Sequence, residues 1–246
     1  MAHKHQQSAT TTEQSASYTL DTTLASSSMS FVSSGNAATV SEPATTVTTS
    51  ASRQGSTGTY DQYFKAFAVR ETGGGSFDPT KTPNYQAGSG NSYPALGAYQ
   101  FDKLSLIATG YYRDDGALSN ARWNDTNFTG KNGIYSQKDF LNNPAVQDQA
   151  AREWTNTVGW SSITDYGLQS YIGQTVGGIG ITAAGLLGGT SLLGPDALKQ
   201  FLDSGGRNNP TDGYGTPVSD YIAGFAGFQT PFDNVPKTGP VLAAKL

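Results

Sequence analysis

The chain has no cysteine, so neither disulfides nor thiol chemistry can contribute to its folding or function. Its only histidines are His3 and His5. Beyond them, Ser-His-Asp and His-Cys catalysis are excluded, as is a histidine-based zinc site. Zinc amidases and most peptidase chemistries are thereby removed. Charge is sparse, at 14% of residues, and the net charge is -4. A nucleic-acid binder would show a basic face, and an acidic balance gives no attraction to anionic membranes or wall polymers. No run approaches the length of a membrane span; the most apolar stretch, Gly177 to Leu193, is interrupted repeatedly by glycine. Met1-Ala2-His3-Lys4-His5-Gln6-Gln7 has no apolar stretch behind it and does not read as a secretory signal. Strict apolar–polar alternation of useful length is also missing, which predicts a mainly α fold with at most a small β-hairpin. No cofactor is called for.

What is present is unevenly distributed. Residues 1–57 are dominated by Ser, Thr and Ala, with Tyr18 and Phe31 as their only aromatics. Such a segment cannot bury a core of its own. It reads as a flexible or assembly-bound arm, in which Ala38-Thr39-Val40 and Thr45-Thr46-Val47-Thr48 are able to add strands to a partner's sheet edge. Residues 58–230 carry all three Trp and nearly all the remaining aromatics, enough for a single core. Residues 231–246 read as an extended C-terminal tail.

Within residues 58–230 the apolar spacing predicts a succession of helices. Tyr60 to Arg70 is the first, and Phe101 to Thr109 the second. Ser136 caps a short helix to Leu141. Pro144, in the first turn, opens a helix whose stripe runs Val146, Ala150, Trp154 and Val158. Asp165 to Gln174 is expected to be helical. Thr182 to Leu193 and Pro195 to Leu202 follow, the latter ended by Gly205-Gly206, and Val218 to Phe228 is the last. Gly185, Gly188 and Gly189 recur at helical spacing, which predicts close helix–helix contact.

Candidate chemistry centres on Arg70-Glu71-Thr72-Gly73-Gly74-Gly75. Phe64, Phe67, Ala68 and Glu71 fall at i, i+3, i+4 and i+7, so Glu71 continues an apolar helix face and the glycines end the helix. Desolvation on that face raises a carboxyl pKa and suits the group to donate a proton near neutral pH. The plainer alternative is a helix-terminal Glu that is solvated or paired with Arg70 or Lys65. About 25 residues on, Gly97-Ala98-Tyr99-Gln100-Phe101 forms a small-aromatic-amide turn able to face Glu71 across a cleft. The polar segment between them, with Tyr85 and Tyr93, reads as a cleft-edge loop.

Together, Val69-Arg70-Glu71-Thr72-Gly73-Gly74-Gly75 and Ala95-Leu96-Gly97-Ala98-Tyr99-Gln100-Phe101 resemble the Glu-Ser-Gly and Gly-x-x-Gln signatures of lysozyme-like lytic transglycosylases and phage muramidases. Gly188-Gly189-Thr190-Ser191-Leu192-Leu193-Gly194-Pro195 is similar to that family's Ala-Ala-Tyr-Asn-Ala-Gly-Pro run. The resemblance spans Tyr60 to Phe228. It implies a lysozyme-like helical domain that cleaves the MurNAc-GlcNAc bond of peptidoglycan, with Glu71 as catalytic acid. It also implies that Gly97, Tyr99, Gln100 and Ser191 line the glycan cleft. Tyr85 and Tyr93, placed in the polar loop where core packing explains them poorly, offer aromatic faces to sugar rings. Two positions depart from the pattern. Residue 72 is Thr in place of Ser, and Ser191 stands where the family has a Tyr close to the acid. Tyr99, Tyr171 and Tyr221 are the candidates to replace that hydroxyl. Without a secretory signal, delivery to the wall would need a phage holin, a virion or a contractile secretion machine, and the 1–57 arm would meet a protein partner there. A structural component with the same fold and little activity is the alternative expectation.

A second carboxylate is harder to find. Glycosidases that retain configuration place two carboxyls about 5 Å apart, and inverting ones space them further. Asp102 is the best placed of Asp78, Asp102, Asp114 and Asp115, although helix capping accounts for it as well. A lytic transglycosylase needs a single Glu, acting as acid and then as base. Asp212-Gly213-Tyr214-Gly215-Thr216 has some look of a cation loop but lacks the alternating acids and closing Glu of a Ca²⁺ site; turn chemistry explains it.

Overall fold

In the computed structural model, residues 57–88, 95–116 and 122–235 are described. The arm lies outside them up to residue 56, as do Tyr93 and the tail beyond residue 235. The described chain is mainly helical, as its patterning predicts.

A two-residue strand, β1 (Thr57–Gly58), leads into helix α1 (Tyr60–Thr72). Thr59 caps α1 by accepting from Gln62 N, while Gln62 Oε1 accepts from Thr59 N. This reciprocal pair satisfies two amides that a helix start leaves without partners. Tyr63, Phe64, Ala66, Phe67, Ala68 and Val69 are buried, and α1 runs two residues past Arg70, to Thr72, so that it includes Glu71.

The chain then passes through α2 (Lys103–Ala108), capped by Asp102, and α3 (Gln137–Leu141), capped by Ser136. Helix α4 (Pro144–Trp154) is capped by Asn143. Its stripe continues through a π-helical turn, Thr155–Gly159, into α5 (Trp160–Asp165). The helix expected over Asp165 to Gln174 does not form. Gly167 takes a left-handed conformation that ends α5, and only a 3-10 turn, Leu168–Tyr171, follows.

Strands β2 (Thr175–Val176) and β3 (Ile179–Gly180) make a small antiparallel hairpin across Gly177-Gly178. Both glycines have positive φ, as the tight turn requires. Helix α6 spans Ala183–Asp203 with a break at Gly194, whose φ of 78° and ψ of 174° only glycine adopts readily. Pro195 restarts the helix from its first turn, so the two helices expected on either side of Gly194 are both present. Helix α7 (Val218–Phe225) ends before β4 (Gly227–Phe228), which pairs in parallel with β1.

The core forms between α6 and α7 and under α1. A Cβ on Gly185 would lie 2.9 Å from Ile222 O, one on Gly189 would lie 3.0 Å from Leu198, and one on Gly188 would overlap the Phe225 ring. The glycine stripe therefore brings α7 close to the α6 backbone. That proximity sets Tyr221 against the end of α1 and Phe225 along its body, where it meets Tyr63 and Phe67 at ring-centroid distances of 5.0 Å and 5.9 Å.

Candidate functional site

The end of α1 meets α7 at one contact. Tyr221 donates its hydroxyl hydrogen bond to Glu71 Oε1 at 2.6 Å. Glu71 keeps part of its surface open to solvent. Even so, the surrounding protein penalises its charged form enough to push its pKa from an ordinary 4.5 up to about 7. Burial is the main cause. The Tyr221 bond and the nearby Arg70 cation act the other way, and the Asp212 charge adds to the rise. Burial and the Glu71 charge both drive the Tyr221 pKa upward, so that residue stays a phenol and a donor.

The surroundings of the pair are set by the glycine turn. After Gly73, Gly74 and Gly75 take positive φ and fold the chain back, so that Phe77 meets Tyr221 and Phe225 edge-on at centroid distances of 5.7 Å and 4.9 Å. The Arg70 guanidinium lies over both rings, 4.9 Å from that of Tyr221 and 5.1 Å from that of Phe77. Its buried Nε has no hydrogen-bond partner among the described residues. Neither Arg70 nor Lys65 forms an ion pair with Glu71 among the described residues. Thr72 has a structural role: its hydroxyl donates to Ala68 O at 2.8 Å and accepts from Asn84 N at 2.9 Å. It thereby ties the following loop to the helix end.

Of the three tyrosines able to supply a hydroxyl to the acid, Tyr221 is the one in contact. Tyr99 donates to Asp148 Oδ1 at 2.8 Å. Tyr171 donates to Asp203 Oδ1 at 2.7 Å.

The Gly97–Phe101 turn is present, built around the buried Gln147 of α4. Gln147 Oε1 accepts from Ala98 N at 2.9 Å, while its Nε2 donates to Tyr85 O and Phe140 O at 3.1 Å and 2.9 Å. A Cβ on Gly97, which has a φ of 71°, would collide with the Gln147 amide. Gln100 also has positive φ, at 50°, and its side-chain amide donates to Gly97 O at 2.7 Å. Asp148 accepts from both the Tyr85 and Tyr99 hydroxyls on Oδ1, each at 2.8 Å.

The expected cleft residues are thus held inward. The Tyr99 ring is buried between Phe67 and Phe101. Ser191 is buried and donates to Gly188 O at 2.7 Å within α6, so no sugar reaches its hydroxyl in this conformation. Gln100 is buried as well. Tyr85 is partly exposed, with its hydroxyl committed to Asp148.

The four acids considered as second carboxylates are likewise engaged. Asp102 caps α2 by accepting from Ser105 N at 2.7 Å, and burial raises its pKa. Asp78 closes a turn onto Thr80 and Asp114 one onto Gly116. Asp115 accepts from the buried Lys103 at 3.0 Å and also from Tyr112 and Asn127. The carboxylate that does act on Glu71 is Asp212. It belongs to the loop before α7, which the sequence presents only as a turn. Its Oδ1 accepts from Tyr214 N at 2.9 Å and Thr216 N at 2.7 Å. The loop is closed by a bridge between Thr211 and Pro217 and by Val218 N donating to Pro210 O at 2.9 Å. No sequence signal links Asp212 to Glu71; the approach of α7 to α1 creates the relation. Among the described residues there is no cluster of His, Cys, Asp and Glu able to hold a metal, and no helix is long and apolar enough to cross a membrane.

Comparison of the chain with protein-family models, with curated proteins and with solved structures finds no match.

Proposed function

We propose that this protein cleaves the glycan strands of peptidoglycan at the MurNAc-GlcNAc bond, as a lytic transglycosylase or muramidase built on a lysozyme-like fold, with Glu71 as the acid. The observation that carries the reading is a single carboxyl with its pKa near 7, held by the Tyr221 hydroxyl at 2.6 Å. A carboxyl of that proton affinity keeps a substantial protonated fraction near neutrality and is matched to general-acid work at physiological pH. Tyr221 occupies Oε1 and fixes the carboxyl plane, which leaves Oε2 to carry the transferred proton.

In the proposed reaction, Glu71 protonates the bridging oxygen as the bond to the anomeric carbon breaks. The carboxylate left behind is stabilised by the Tyr221 bond and by Arg70, both of which favour the ionised form. It then takes a proton from the attacking group, either the sugar's own C6 hydroxyl or water. The four acids engaged in caps, turns and the Lys103 ion pair favour the first of these. Asp212, the carboxylate whose charge reaches the acid, is the group able to favour water.

A second reading has an observation behind it. Tyr85, Tyr99 and Ser191 satisfy their hydroxyls inside the protein, as they would in a structural virion or secretion-machine component of low activity. Delivery by a phage particle or a contractile machine, with residues 1–57 engaged by an assembly partner, is compatible with both readings. The two separate on incubation of purified peptidoglycan with wild type and Glu71→Gln. Release of soluble muropeptides by the wild type alone supports the enzyme. No release by either protein leaves the structural reading. Mass spectrometry of the products is expected to show anhydro ends, and ends carrying an added water would assign hydrolysis.

A further inference from the structure

The loop from Pro210 to Pro217 carries a feature that the catalytic reading leaves unused. Tyr214, at its tip, is 67% exposed, while most aromatics of the described chain are packed in the core. An exposed ring on a mobile loop would call for no explanation, but this loop is pinned at several points. Asp212 N donates to Thr216 O at 3.0 Å and Gly215 N to Asp212 O at 3.0 Å. The Asp212 carboxylate holds the amides of Tyr214 and Thr216, and Thr211 pairs with Pro217. Asn209 joins the loop base to α7, its Nδ2 donating to Ser219 Oγ at 2.8 Å. The backbone under Tyr214 is therefore fixed before any ligand arrives, so that binding on its ring has little ordering cost.

The loop is also in the right place. It closes on Val218, the first residue of α7. Tyr221 follows three residues later, about 4.5 Å along the axis at 1.5 Å per residue, and its hydroxyl is on Glu71. Asp212, two residues before Tyr214, acts electrostatically on both Glu71 and Tyr221. Asp212 thus brings its charge to the acid from within the loop whose tip is Tyr214.

We propose that Tyr214 is a glycan-binding platform flanking Glu71, on which a pyranose ring of the strand stacks by its apolar face while the neighbouring glycosidic bond lies at the acid. The ligand class follows from the chemistry. A flat, amphipathic ring beside backbone amides and a carboxylate suits a polyhydroxylated ring with one face of C–H groups, and the net charge of -4 disfavours polyanions. This inference rests on the glycan-cleaving reading of Glu71.

The test uses the full chain in a Glu71→Gln background, so that the polymer is not digested, with purified insoluble peptidoglycan as probe and co-sedimentation as readout. Adding Tyr214→Ala is expected to weaken half-saturation about fivefold to tenfold, while Tyr214→Trp retains binding and the thermal midpoint of each variant stays at the parent value. Equal binding by the Ala variant overturns the proposal, as does loss of binding in the Trp variant equal to that in the Ala variant, or no binding by the parent. Muropeptide release by the wild type is measured in parallel. Release with Tyr214-independent binding removes the platform and leaves the enzyme. Tyr214-dependent binding without release by the wild type retains the platform and removes the catalytic role of Glu71.

Discussion

At the scale of single residues, Glu71 is governed by opposing influences. Burial raises its pKa to about 7, Tyr221 and Arg70 restrain the rise, and Asp212 reinforces it. The signs predict how variants behave. Tyr221→Phe removes a bond that favours the carboxylate, so the Glu71 pKa should move above about 7. Asp212→Asn removes a nearby negative charge, so it should move below. Carbon-13 titration of the Glu71 carboxyl reads both shifts without relying on activity; equal pKa values in the three proteins would mean that neither group acts on the acid. The same shift links to stability. A carboxyl whose folded pKa exceeds its unfolded value contributes most below the unfolded pKa and loses that contribution as pH rises through the folded one. Glu71→Gln should therefore melt higher than wild type at pH 8, with the gap closing toward pH 4.

At the scale of elements, the site depends on how closely α6 and α7 approach. Gly185, Gly188 and Gly189 leave no room for a Cβ without movement of Ile222, Phe225 or Leu198. Gly188→Ala should cost about 1–3 kcal/mol by overpacking against the Phe225 ring, measured by urea denaturation. Because Phe225 and Tyr221 share α7, the displacement should also weaken the Tyr221–Glu71 bond, and the carboxyl titration of that variant should move in the direction expected of Tyr221→Phe. A stability loss with an unchanged Glu71 titration would show that the two faces of α7 are independent.

At the scale of the whole molecule, Gln147 and Asp148 join distant segments. Gln147 is fully buried and holds Ala98, Tyr85 and Phe140 through one amide, and Asp148 collects the Tyr85 and Tyr99 hydroxyls. Gln147→Leu keeps the volume but strands buried backbone groups on two loops. A loss of about 2–6 kcal/mol is expected, since each of the two unsatisfied buried polar groups costs about 1–3 kcal/mol. Hydrogen exchange should show residues 84–88 and 95–100 opening first. A uniform loss of protection would indicate that the amide supports the core in general.

The helical character is legible in the sequence, because apolar spacing and caps act over a few residues. Thr59, Ser136, Asn143, Pro144 and Thr182 mark helix starts by local hydrogen bonding or fixed φ. The sequence also puts Glu71 on an apolar face, since its phase with Phe64 and Phe67 is a property of one helix. The early end of α5 was less legible, because Gly167 stops a helix only when it adopts positive φ. Tertiary structure alone decided which tyrosine meets Glu71, that Tyr99 and Ser191 turn inward, and that Asp212 is the carboxylate within electrostatic reach. Tyr221 lies 150 residues from Glu71 along the chain, and no periodicity extends over such a separation. The contact arises from the packing of α7 on a glycine stripe, and its chemistry from the low dielectric that packing creates.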